Sequence, residues 1–225
     1  MPAQLHDPPA RLLSLLSQPP PQGRWLIGLC GLPGAGKSTV ASQWIDQVNE
    51  RTGSAAAVAL SMDGFHLTQT ALAQFADPLA AFARRGAPWT FDPHSLRTQL
   101  LALRAGSVVS WPGFEHAVGD PVEGANQVGP QIRLALVEGL YSLHDDHGWD
   151  VASCFDEHWF LDVGLELAMQ RLEARHMAAS QQTRAQARAR LQRNDRLNAA
   201  IAAQARHKAH WLVANMPKAA EPASA

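Results

Sequence analysis

The sequence predicts an α/β protein, a three-layer sandwich built on a mostly parallel central sheet. Three observations predict it. Four apolar runs of strand length recur along the chain, at residues 25–30 (WLIGLC), 55–60 (AAAVAL), 132–137 (IRLALV) and 158–163 (HWFLDV). Runs of this kind mark strands buried on both faces. Helical stretches separate them, so the connections are crossovers and the strands run parallel. Glycines or acids follow the runs, at the carboxyl ends where such sheets bind ligands.

In chain order, residues 1–23 read as a short helix around Leu12 to Leu16 and a stiff linker of Pro19, Pro20 and Pro21 ahead of a domain spanning 24–215. After the first run, Val40, Trp44, Ile45 and Val48 recur at helical spacing, and Gly53 closes that helix. Residues 68–84 are rich in Ala and Leu and are expected to be helical. Residues 94–105 form another helix, with Asp92 or Pro93 near its start and Gly106 after its end. Residues 107–111 read as a short strand, and 113–129 as a loop or hairpin excursion. From 166 to about 210 the chain is rich in Ala, Gln and Arg and helical, including a lid at about 170–195. Residues 211–213 read as an edge strand, and residues 216–225 as a disordered tail.

Composition narrows the function classes. The 225 residues are 46% apolar and 17% charged, enough for a sizeable core. The net charge of -1 argues against a general nucleic-acid binder, which needs many cations against phosphates. No apolar run is long enough to span a bilayer, and the N-terminal stretch lacks the basic start and apolar length of a signal peptide. With two cysteines, Cys30 and Cys154, a reduced cytoplasmic protein is expected rather than a disulfide scaffold.

The chemistry begins after the first strand. Gly31-Leu32-Pro33-Gly34-Ala35-Gly36-Lys37-Ser38-Thr39 has the spacing G-x-x-x-x-G-K-[ST] between a strand and a helix. Glycines let the backbone turn its N–H groups around an anion, and the helix N-terminus adds its dipole. Lys37 then reaches the β/γ-phosphates of a nucleoside triphosphate, and Ser38 takes one Mg²⁺ position. The second strand runs into Asp63-Gly64. Asp63 is either a base for an attacking hydroxyl or half of an ordinary turn. The third strand ends in Glu138, which holds Mg²⁺ directly or through water, or is merely a helix-capping or surface residue. No Asn-Lys-x-Asp stretch exists for guanine recognition, which counts against a GTPase. The stretch 144–147 (HDDH) lacks zinc-site spacing and reads as an exposed loop.

Together the cradle, Asp63-Gly64-Phe65, residues 84–92 (RRGAPWTFD), Phe114-Glu115-His116 and Glu138-Gly139-Leu140 resemble the P-loop small-molecule kinases that include uridine kinase, phosphoribulokinase and bacterial pantothenate kinase. Asp120-Pro121-Val122, Arg171-Leu172-x-x-Arg175-His176 and Asn194-Asp195-x-x-Asn198 resemble a branch of bacterial nucleoside- or sugar-kinase-like proteins. The resemblance implies a P-loop NTPase fold with a helical lid, and an enzyme that uses ATP and Mg²⁺ to phosphorylate a hydroxyl of a small metabolite. Asp63 would accept the hydroxyl proton and lie close to the metal, Ser38 would ligate it and Glu138 support it. Arg171 and Arg175, four residues apart on one helix face, would reach the transferring phosphoryl group. His66, Arg85, Phe114, His116 and Tyr141 would contribute to the acceptor pocket. Arg85 and Asp92 can equally brace their loop, and Arg184, Arg188 and Arg190 read as solvated lid residues. Phe114 stands where pantothenate kinase has Tyr, and the chain lacks that enzyme's extra segments; both departures count against pantothenate. Nucleosides, sugars or their derivatives and pantothenate-like compounds are the candidate acceptors. Relatives form dimers and tetramers, which leaves a homodimer open. The competing class is a nucleotide-binding sensor that phosphorylates nothing.

Overall fold

The computed structural model describes residues 1–115, 118–146, 148–180 and 183–214. The chain starts with β1 (Ala3–Gln4) and α1 (Pro8–Leu16), whose N-cap Asp7 accepts from the Ala10 N–H. β2 (Trp25–Gly31), α2 (Lys37–Thr52) and β3 (Ala57–Ser61) follow. Then come α3 (Gln69–Leu72), α4 (Pro78–Ala83) and α5 (Pro93–Arg104), the hairpin β4 (Val109–Glu115) and β5 (Asp120–Val128), and β6 (Leu134–Glu138). After β7 (Glu157–Asp162) come α6 (Leu165–Ser180), α7 (Arg184–Arg190), a π-helical turn (Leu191–Asp195), α8 (Arg196–Ala203) and β8 (Trp211–Ala214).

Among the described residues, six strands form one parallel sheet in the order β1-β8-β7-β2-β6-β3, and the hairpin stands apart as a two-stranded antiparallel sheet. The strands alternate between two buried layers, as period-2 geometry requires. Ile27 and Leu29 of β2 and Leu134 and Leu136 of β6 face the core beneath α1, α2 and α6. Leu26, Ala135 and Val137 face the opposite core, with α5 and the hairpin's Trp111. The expected sandwich is therefore observed, and all four apolar runs are strands of its sheet.

Three details differ from the sequence reading. Residues 68–84 form two short helices rather than one, because Asp77 caps a new start at Pro78. β8 is not the edge: β1 pairs outside it. The segment 1–23 also packs into the main core, through Leu12, Leu15 and Leu16, rather than standing ahead of it. Of the loop and hairpin alternatives for 113–129 the hairpin is observed, but its first strand begins at Val109 and takes in the short strand expected at 107–111; the Trp111 indole pins it beside β3 by donating to the Ser61 carbonyl at 2.8 Å. His116 and the tail beyond residue 215 lie outside the described residues.

Candidate active site

The cradle forms where β2 hands over to α2. Gly34 and Gly36 take left-handed φ values of 80° and 93°, which open the turn. The first N–H groups of α2 have no intrahelical acceptor and are available to an anion. Pro33, Gly34, Gly36, Lys37, Ser38 and Thr39 line a cavity of about 590 Å³. Gly31, Leu32 and Ala35 of the cradle do not line it; the Lys37 ammonium donates to the Gly31 and Leu32 carbonyls, each at 3.1 Å. A Cβ on Gly34 would lie 2.2 Å from the Ala168 carbonyl oxygen, so α6 rests directly on the cradle.

At the carboxyl end of β6, Glu138 is buried and accepts a hydrogen bond from the Ser38 hydroxyl at 2.9 Å. Burial pushes its carboxyl above the usual range, and the neighbouring Asp63 pushes it further; Lys37 and hydrogen bonds from Ser61 and Ser38 oppose both. The capping alternative is thus displaced by a buried carboxylate facing the cavity. One hydroxyl and two carboxylates suit Mg²⁺, which draws its other ligands from phosphates and water. A carboxyl whose pKa is raised by folding holds its proton more tightly in the folded chain. Its charged form lowers stability above the folded pKa, and that loss is relieved as pH falls through it. Glu138→Gln is therefore expected to raise Tm by about 2–4 °C at neutral pH without divalent cation, the change about 1 kcal/mol makes in a chain of this size. Thermal melts in chelator check it; a lower Tm contradicts the assignment.

Asp63 also lines the cavity, from a single 3-10 turn, Met62–Phe65. Its N–H donates to the Ser61 hydroxyl at 3.2 Å. Gly64 is needed for close approach rather than for turning: a Cβ there would lie 2.1 Å from the Pro112 carbonyl oxygen. Beyond Asp63, the His66 ring stacks on Phe91 at 3.9 Å and tilts against Phe114 at 4.8 Å, and all three line the cavity. Arg85 lines it too, with Nη2 bonded to the Leu67 carbonyl at 2.9 Å and Asp120 at 3.2 Å and its guanidinium 5.5 Å from the Phe114 ring centre. Asp92 is the N-cap of α5 and accepts from the Ser95 N–H and hydroxyl, which settles its alternative as bracing. Tyr141 departs from expectation. It is fully buried, its hydroxyl donates to the Gly86 carbonyl at 2.7 Å, and burial raises its pKa, so it props the 84–87 loop from beneath instead of lining the cavity.

α6 supplies Arg171, whose Nη1 donates to the Ala35 carbonyl at 3.2 Å, and Arg175; both line the cavity. Arg190 lines it as well, contrary to its reading as merely solvated. Arg184 and Arg188 instead pair with Glu173 of α6. Sequence reasoning did not place His176, Asn194, Asp195 and Asn198 in the site, yet all four are buried and line it. The available signal was a group of polar residues in an otherwise Ala-rich helical stretch. The arrangement as a whole sets an anion cradle, a carboxylate pair and mobile-length cations around one cavity, which is the equipment of phosphoryl transfer.

Comparison with known proteins agrees with this geometry. The sequence profile of the phosphoribulokinase/uridine kinase family matches residues 26–219. A Schizosaccharomyces pombe protein provisionally named uridine kinase C227.14 is 38% identical over 182 residues, covering 79% of this chain and 77% of that protein. The uncharacterized protein YggC of Escherichia coli K12 is 34% identical over 175 residues, covering 77% and 71%. A crystal structure from Silicibacter sp. TM1040, provisionally described as a fructose transport system kinase, superposes with a TM-score of 0.80 at 34% identity, covering 91% of this chain and 98% of that one.

Proposed function

The chain belongs to the phosphoribulokinase/uridine kinase family, and from that premise we propose that it transfers the γ-phosphoryl group of ATP to a hydroxyl of a small metabolite. The observation that carries this reading is that the cradle, Asp63 and the lid arginines all border the same cavity of about 590 Å³. Lys37 swings from its loop carbonyls to the β/γ-phosphates as they enter. Ser38, Glu138 and Asp63 are the residues that would hold Mg²⁺, which when bound neutralises phosphate charge. Asp63 accepts the proton of the attacking hydroxyl. Arg171, Arg175 and Arg190 close over the equatorial oxygens and exclude water, which otherwise competes as acceptor. His66, Phe91 and Phe114 offer the acceptor an aromatic wall, with Arg85 at its side. The lid is the segment at about 170–195. A cytoplasmic setting fits the two buried free thiols, Cys30 and Cys154. No helix among the described residues is long and apolar enough to cross a membrane.

The test is acceptor-dependent ADP release across a panel of nucleosides, sugars and vitamins. Nucleosides and sugars head the panel, because relatives carry names for kinases of those classes. At least one compound is expected to raise ADP release well above the rate without acceptor. MgATP binding with no stimulation by any compound would favour the sensor reading.

A further inference from the structure

The polar residues of the π-helical turn have no assigned role in the transfer itself, and their bonding is unusual. Asn194 and Asp195 are neighbours in sequence but reach in opposite directions. Asn194 Nδ2 donates to the Arg85 carbonyl at 2.8 Å, on the acceptor-side loop. Asp195 Oδ2 lies 3.0 Å from His176 Nε2, on the lid helix α6. Asn198, one turn on, donates to Asn194 Oδ1 at 3.2 Å and accepts from Arg84 Nη2 at 3.2 Å. Arg84 Nη1 completes the knot by donating to the carbonyls of Arg193 and Asn194, at 3.0 and 3.3 Å.

Buried amides and carboxylates are costly unless their hydrogen bonds are made. Asn194, Asp195, Asn198 and His176 are 5, 8, 2 and 7% exposed, and the bonds that satisfy them join two separate walls of the cavity. One wall is the loop at 84–86, itself held from beneath by Tyr141. The other is α6, whose Ala168 and Leu172 approach Gly34 of the cradle. A π turn within a helix is a frequent device at functional sites. Here it sends adjacent side chains to different partners.

We infer that Asn194, Asp195 and Asn198 are positioning residues that fasten the acceptor-side loop to the lid, so that closure of the lid over a nucleotide also sets the acceptor wall. The inference rests on the reading of the cavity as a joint nucleotide and acceptor site. It requires no particular acceptor, and it makes nucleotide binding order residues 84–91 before any acceptor arrives.

Amide hydrogen exchange read by mass spectrometry on the full chain tests it, with and without Mg²⁺ and a non-hydrolysable ATP analogue. In the wild type the analogue is expected to slow exchange about tenfold or more both in the lid helix at 165–180 and in the loop at 84–91. In Asn198→Leu, and in Arg84→Met, which removes the Arg84–Asn198 bond from the other side together with the Arg84 bonds to the Arg193 and Asn194 carbonyls, the lid keeps its protection and the loop loses it. Arg84→Met keeps the test alive should the buried Asn198 substitution fail to fold. A purely structural knot would loosen the loop equally with and without nucleotide, leaving the nucleotide-dependent difference unchanged. That outcome overturns the inference, as does a wild-type loop that ignores the analogue while the lid responds. Absence of slowing anywhere removes the nucleotide reading, and the inference with it.

Discussion

Asp63→Asn is expected to lower acceptor-dependent ADP release by about 10²–10⁴-fold, the range over which a positioned base acts, and to leave MgATP affinity within a few fold. The substitution keeps the shape of the side chain and removes its capacity to take a proton. The turn that carries it should persist, because Ser61 anchors the backbone N–H of residue 63 and Gly64 packs against Pro112. The cradle and the Ser38–Glu138 pair remain to bind the nucleotide. Loss of the Asp63 charge also removes one of the two causes that raise the Glu138 carboxyl, so Glu138 ionises more readily in the variant. Steady-state kinetics and calorimetric MgATP titration check the split. Unchanged turnover would remove Asp63 from the mechanism.

Lys37→Ala should behave differently, losing nucleotide affinity and turnover together. The charge that Lys37 brings to the β/γ-phosphates contributes to nucleotide binding and contributes more in the transition state, where charge shifts toward the bridging oxygen; removal of one such donor commonly costs about 10²–10³-fold in turnover. The Lys37 side chain is only 8% exposed and satisfies two loop carbonyls. Its removal therefore also tests how far the turn keeps its shape alone. Titration with a fluorescent ATP analogue, beside a thermal melt, separates the two effects. Retained affinity in a folded variant would mean that the phosphates do not sit at this turn.

The residues that announced the site in the sequence share one property: their meaning is local. The cradle is a run of adjacent residues whose glycine positions dictate their own backbone, and Asp63 and Glu138 stand where apolar runs stop. The sheet was readable for the same reason, since a doubly buried strand is a continuous apolar run. What escaped depends on tertiary partners. Arg190 and Arg188 are two residues apart in one helix, and only the packing of α7 against α6 sends the first to the cavity and the second to Glu173. Tyr141 follows a site residue in sequence but packs inward, because Gly86 offers its hydroxyl an acceptor. The π-helical turn leaves no periodic trace in five residues, so His176 and Asp195 could not be seen to meet. β1, with two residues, is too short to show alternation at all.

That smallest strand constrains the order in which the chain can be assembled. Ala3 and Leu5 donate to the carbonyls of His210 and Leu212, and among the described residues β1 has no other neighbour in the sheet. During vectorial synthesis those carbonyls leave the ribosome some two hundred residues after the groups they receive. β1 is thus made long before its pairing partner, and it can dock only once β8 has followed. Closing so long a loop comes late on entropic grounds as well.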